Sequence, residues 1–163
     1  MRNKFHYLLI FVLVILDQLT KFFIAKNLSQ YDSVTIIPGF FKLVHVRNTG
    51  AIFGFLSDSG KPWVFIALTI ASLIALTLVV YYFHIVPTKD KIFKLALTLI
   101  LAGALGNLID RVFKGYVVDF LHFYIKRWQW PSFNMADSCI TIGALILLYI
   151  FFIRKKETCI QSS

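Results

Sequence analysis

Four aspartates carry the chemistry this sequence could do: Asp17, Asp110, Asp119 and Asp137, each set in or beside an apolar or aromatic stretch. Two carboxylates held close together do not both ionise easily, because their like charges repel, so one keeps a proton near neutral pH. The ionised partner can then draw a proton from water while the protonated one donates to a carbonyl oxygen. Such a pair hydrolyses an amide with neither a metal nor a covalent intermediate. The chain has no H-E-x-x-H and no G-x-S-x-G, and its histidines (His6, His45, His84 and His122) make no ligand spacing. No metal site and no cofactor are expected. A Ser138–His122 nucleophile pair stays open as a rival.

Each acid also has a plain structural reading. Asp17 and Lys21 stand at i and i+4, the spacing of a charge pair that neutralises itself inside a membrane. Asp110 with Arg111 can end a span at the interface. Asn134 before Asp137 reads as a helix N-cap, with Asp137 favoured in the first turn by the helix dipole. Asp119 is the exception. It lies in the run Tyr116-Val117-Val118-Asp119-Phe120-Leu121, where an unpaired carboxylate has no structural reason to be, and it is the strongest single candidate.

The elements that must position these residues follow from composition. The chain has 163 residues, 58% apolar and 15% charged, with a formal charge of +9. Its mean hydropathy is +0.75. Soluble domains run near 45–50% apolar and about 25% charged, so much of this surface must face lipid. An ordinary soluble enzyme and a disordered chain are both excluded. The scattered lysines and arginines read as membrane-edge anchors that favour anionic headgroups, not as a nucleic-acid surface. Cys139 and Cys159 suggest no disulfide framework.

A helix needs about 20 residues to cross the hydrocarbon core, and four apolar runs qualify: about 5–25, 62–83, 92–109 and 138–153. The first begins like a secretory signal but continues Asp17-Gln18-Leu19-Thr20-Lys21 with no small-residue cleavage site, so it reads as a retained span. Trp63 and Tyr81-Tyr82 flank the second as an aromatic belt, and Lys94 is placed to snorkel from the third. Between spans, Val34–Arg47 and Tyr116–Ile125 are rich in β-branched and aromatic residues, with turn signals at Pro38-Gly39 and Asn48-Thr49-Gly50. The expected fold is an all-α membrane protein of four transmembrane helices with a small extracytoplasmic β-cradle, one domain over residues 1–163.

An even number of spans returns both termini to one side. Arg2, Lys4, Lys89, Lys91, Lys94, Arg154, Lys155 and Lys156 crowd the termini and the short turn. The long connections carry as many basic residues over more than twice the length, so density favours cytoplasmic termini. A rise of about 1.5 Å per residue puts Asp17 in the far half of span one, at the end where Asp110, Asp119 and Asp137 also lie. Ala102-Gly103-Ala104 and Gly106 would let span three approach a neighbour closely, with Asn107 on the same face.

Residues alone leave a membrane hydrolase beside two other classes, a small carrier relaying protons through its aspartates and a structural subunit. The motifs Asp17-Gln18-Leu19-Thr20-Lys21, Asn48-Thr49-Gly50-Ala51, Gly106-Asn107-Leu108-Ile109-Asp110-Arg111, Val117-Val118-Asp119-Phe120 and Phe133-Asn134-Met135-Ala136-Asp137-Ser138 carry the decision. In that order and layout they resemble the bacterial lipoprotein signal peptidase (signal peptidase II) family. Ile52, where a second small residue commonly follows, is the one departure. The resemblance implies a metal-free aspartic peptidase of the bacterial cytoplasmic membrane, its site near the outer surface. Such an enzyme cuts diacylglyceryl-modified prolipoproteins before the lipid-bearing cysteine. It implies Asp119 and Asp137 as the catalytic pair. Asn48, Gly50, Asn107, Asp110, Arg111, Asn134, Asp17 and Lys21 would then bind substrate or support the pair. The expected partners are that prolipoprotein and membrane lipids, with the enzyme a monomer.

Overall fold

Charge-poor apolar runs become the four long helices of the computed structural model, which describes residues 3–50, 62–87 and 90–161, the side chains of Pro62 and 153–161 excepted. They are α1 (Lys4–Asn27), α2 (Pro62–Ile85), α3 (Lys91–Lys114) and α4 (Met135–Gln161). All four are long and apolar enough to cross a membrane. Each helix outruns the hydrophobic stretch that signals it, because polar end residues still satisfy helical hydrogen bonds. Asp110 therefore sits inside α3, a turn before its end, and Asp137 in the first turn of α4, where the N-cap reading puts it. The connection Asn48–Phe55 is expected, with the Trp128–Pro131 stretch, to border a sideways opening for substrate. Its residues 51–55, Ala51 and Ile52 among them, lie outside the described residues, as do Arg2, Lys61, Lys89, Cys159 and the Arg154-Lys155-Lys156 side chains.

Helix α3 is the centre of the bundle and packs against the other three. Half of its apolar window is buried, against 6–17% for the rest, whose Leu, Ile and Phe side chains face outward. Small residues make that central place possible. A Cβ on Gly103 would overlap the Ala136 carbonyl oxygen of α4, and one on Gly106 would stand 2.6 Å from an Asp17 oxygen of α1. Gly115 ends α3 in the left-handed conformation, φ 77°, returning its N–H to the Arg111 carbonyl.

Lys94 departs from expectation. It does not snorkel but is 2% exposed, its ammonium 3.2 Å from the Val86 carbonyl and 4.9 Å above the Phe83 ring. The last carbonyls of α2 have no helical donor, so the Val86 carbonyl is free to accept the ammonium, and the Phe83 ring face is attractive to a cation.

The connections fold as an antiparallel sheet in the order β1 (Ser33–Ile37), β2 (Phe41–Asn48), β3 (Val117–Ile125) and β4 (Trp128–Gln129). It lies at the end where α1 and α3 finish and α4 begins. Register decides what it presents. Val46 pairs with Asp119 and Asn48 with Val117, so Asn48 is the diagonal neighbour of Asp119 on one face. A shift between Leu43 and Val46 sets that register. Ile24, Val118 and Phe120, with Leu43 and Met135 against them, pin the sheet to α1 and α4.

Candidate active site

Asp119 enters the interior because β3 is sealed on both sides, by β2 and by the chain leading into α4. Phe120 and Leu121 both donate N–H to the Phe133 carbonyl, at 3.0 and 2.8 Å, and Phe133 returns its own N–H to Leu121 at 3.1 Å. That bridge delivers Asn134 beside Asp119, and the next residue begins α4.

Asn134 then reaches both carboxylates. Its side-chain amide donates to Asp119 Oδ1 at 2.7 Å, and its Oδ1 accepts the backbone N–H of Asp137 at 2.9 Å. Its own N–H points at Asp137 Oδ2, 3.3 Å away. Asn134 thus caps α4, as expected, Asp137 returns the bond to close a capping box, and Asn134 also orients Asp119. The cap and the site are one object.

The remaining oxygens are filled in the same way. Asn48 donates to Asp119 Oδ2 at 2.8 Å, while Gly50 N–H donates to Asn48 Oδ1 at 2.8 Å. Asn107 donates to Asp137 Oδ1 at 2.7 Å and accepts from the Lys21 ammonium at 2.9 Å. Both aspartates are nearly sealed from water, at 2% and 4% exposed. Burial, reinforced by the charge of nearby Asp137, pushes the Asp119 carboxyl up to about 7, against the pull of the Asn48 and Asn134 amides and of Lys21. A carboxyl titrating there is poised to give and take protons at neutral pH.

The other two aspartates form a separate part of the same network. Lys21 pairs with Asp17 at 2.8 Å, the expected contact, but also with Asp110 at 3.1 Å. The neutralising unit is therefore larger than one pair. Asp110 has Lys114 at 2.7 Å as a second cation and accepts the Val118 N–H at 3.2 Å, tying α3 to β3. Asp17 accepts the Ala136 N–H at 3.0 Å, satisfying an orphan donor of the α4 first turn. Alternating charges from α1 and α3 thus run Asp17, Lys21, Asp110, Lys114. The Asp110–Lys114 spacing repeats that of Asp17–Lys21, a signal that the sequence carries but that the motifs above do not include.

Other expectations fare differently. Arg111 neither caps α3 nor pairs with Asp110; its guanidinium lies 3.5 Å from Ser72 Oγ on α2. Ser138 and His122 are not partners, since Ser138 donates to the Asn134 carbonyl and His122 Nδ1 sits 3.0 Å from Ser132 Oγ. A recess of about 520 Å³ opens beside Asp137, at the aromatic stretch Trp128–Pro131 that the sequence places at the membrane edge. Phe40, Phe123, Trp128, Trp130 and Phe133 wall it from the sheet side, and Ser138, Thr141 and Ile142 line it along α4. The tryptophans are exposed at its rim with their rings edge-on at 5.5 Å.

Known proteins share this layout. A family model described as Signal peptidase (SPase) II matches residues 9–153. The lipoprotein signal peptidase of Bacillus pumilus (strain SAFR-032) is 42% identical over 154 residues, covering 94% of this chain and 96% of that protein. The lipoprotein signal peptidase of Burkholderia mallei (strain SAVP1) is 44% identical over 140 residues, covering 85% and 81%. A bacterial membrane enzyme solved by the in meso method at 2.3 Å resolution superposes with a TM-score of 0.76 at 40% identity, covering 93% of this chain and 90% of the other.

Proposed function

The chain belongs to the signal peptidase II family of aspartic peptidases, and on that footing we propose that it removes the signal peptide from diacylglyceryl-modified prolipoproteins, cutting before the lipid-bearing cysteine. The observation that carries the reading is Asn134, which holds Asp119 and Asp137 together through its side-chain amide and its backbone. Such an arrangement suits one shared proton between two roles.

In the proposed reaction Asp119 carries that proton and Asp137 is ionised. Asp137 takes a proton from a water molecule as its oxygen bonds to the scissile carbonyl carbon, while Asp119 donates to the carbonyl oxygen. The carbon–nitrogen bond then breaks, the nitrogen leaves with a proton from Asp137, and Asp119 recovers its own. Asn48 and Gly50 fix the Asp119 side, Asn107 the Asp137 side, and the positive charge of Arg111 favours the one negative charge the pair carries. Asp17, Lys21 and Asp110 hold the ends of α1, α3 and α4 around them.

The protein works, on this reading, as a monomer in the bacterial cytoplasmic membrane, with both termini cytoplasmic and the sheet at the outer surface. A diacylated precursor keeps its acyl chains in lipid, because each exposed CH₂ costs about 0.8 kcal/mol. Its cleavage site must lie at headgroup depth. The recess supplies a sideways approach there, walled by Phe40, Phe123 and Phe133 and bounded by Trp128 and Trp130. Incubating the purified protein in detergent with a synthetic diacylated precursor and a chelator tests the whole reading. Product that begins at the lipidated cysteine supports it; intact precursor, the outcome for a carrier or a structural subunit, sinks it.

A further inference from the structure

The three asparagines around the aspartates share a constraint. An amide can turn over and present either its N–H or its C=O to a neighbour, and what stands on its other side decides which. Behind Asn134 Oδ1 is the Asp137 backbone N–H, and behind Asn48 Oδ1 is the Gly50 N–H. Both are donors only, and both belong to the main chain. Behind Asn107 Oδ1 is the Lys21 ammonium, also a donor only, but on a side chain from another helix.

We propose that Lys21 is a positioning residue for the reaction: it pins the Asn107 amide so that its N–H, not its C=O, faces Asp137. The geometry is complete. The ammonium has three N–H groups, and three acceptors surround it: Asp17 at 2.8 Å, Asp110 at 3.1 Å and Asn107 at 2.9 Å. Its side chain is 0% exposed, so water offers no alternative partner. The Asn107 atom facing it must be oxygen, and the nitrogen 2.7 Å from Asp137 Oδ1 must donate. An Asp137 held by that donor is held as an acceptor, the state the water-activating role requires. With Lys21 gone, the amide can turn and offer its C=O, which only a protonated Asp137 could satisfy. The aspartates would then hold their proton on the wrong member. The two carboxylates thus serve to place the ammonium, and the ammonium serves to place the amide.

This inference rests on the peptidase reading above, and a double-mutant cycle separates the two. Lys21→Met is combined with Asp17→Asn so that no charge is stranded, and the pair is made with Asn107 intact and with Asn107→Leu. Cleavage of a diacylated precursor is measured for kcat and KM, and thermal unfolding in detergent checks that each variant is folded. With Asn107 present, removing Lys21 should lower kcat by about 10–100-fold, the worth of one hydrogen bond to a charged group, and leave KM within about twofold. In the Asn107→Leu background the same removal should change kcat by less than about twofold, because nothing remains to be pinned. An equal loss in both backgrounds means Lys21 acts by charge alone and overturns the proposal. So does an unchanged kcat with Asn107 intact. Failure of the peptidase reading shows differently, as wild-type protein that leaves the precursor intact.

Discussion

Asn134 and Asp137 cap each other: each accepts the other's backbone N–H on its side chain, at 2.9 and 3.3 Å. A helix start is thereby fused to a reaction centre, and a substitution at either residue is felt in both.

The first expectation follows from that fusion. Asp119→Asn and Asp137→Asn should each lower cleavage by at least the factor of about 10²–10⁴ that acid–base assistance supplies. Their stabilities should differ. Both Asp119 oxygens accept short amide N–H bonds, so an Asn there turns one NH₂ against another and costs about 1–3 kcal/mol. At Asp137 the new NH₂ can face the longer 3.3 Å contact, which costs less. Thermal unfolding beside a cleavage assay reads both effects, and near-normal turnover by either variant would remove that residue from the mechanism.

Acidity gives the second. Asp119 sits at about 7 because burial and the Asp137 charge oppose its ionisation. Its proton, the one donated to the carbonyl, is present below that pH and lost above it. The pH profile of kcat/KM should therefore descend through about 7. The same shift makes folded protein bind this proton more tightly than the unfolded chain, whose carboxyl titrates near 3.8. This group's contribution to stability is full below pH 3.8 and declines as pH rises toward 7. A kcat/KM profile flat from about pH 6 to 9 would move the proton elsewhere.

A third expectation concerns the helix contacts. Gly103→Ala forces a methyl into the Ala136 carbonyl and against Ile140, and Gly106→Ala forces one against Asp17. Overpacking of this kind costs about 1–3 kcal/mol. Gly115→Ala tests a different constraint, since φ 77° is strained for any residue with a Cβ. The first two should lower both melting temperature and activity, because α3 and α4 carry Asn107 and Asp137. Gly115→Ala should lower melting temperature with little effect on turnover of the folded fraction.

Lipid dependence is the fourth. A precursor without its diacylglyceryl group loses the anchor that holds it at the depth of Asp119 and Asp137. It should be cleaved poorly however well its peptide fits. Trp128→Ala and Trp130→Ala should raise KM for the lipidated precursor more than they change kcat, since both border the recess and neither hydrogen-bonds Asp119 or Asp137. Equal turnover of lipidated and unlipidated precursor in one detergent would refute this approach while leaving the aspartyl chemistry standing.

Much of this arrangement is legible in one dimension. Four apolar runs of near-spanning length dictate four helices, because backbone polar groups in lipid must be satisfied within a segment. A fixed rise per residue places Asp17 at the end of the bundle where the limits of spans three and four and the connection between them put Asp110, Asp137 and Asp119, and small residues on α3 mark the helix that others approach. Even the capping of α4 by Asn134 is local enough to read. What the sequence could not yield is which donor faces which acceptor. Asn48 reaches Asp119 across 71 residues, Lys21 reaches Asn107 across 86, and Asp17 takes the N–H of Ala136 across 119. Those pairings depend on strand register, on helix rotation and on the rotamers of buried side chains, none of which leaves a periodic trace. Lys94 makes the same point from the other side. Its position near a helix end suggests an escape to the headgroups, and only the packed neighbourhood of Val86 and Phe83 keeps it inside.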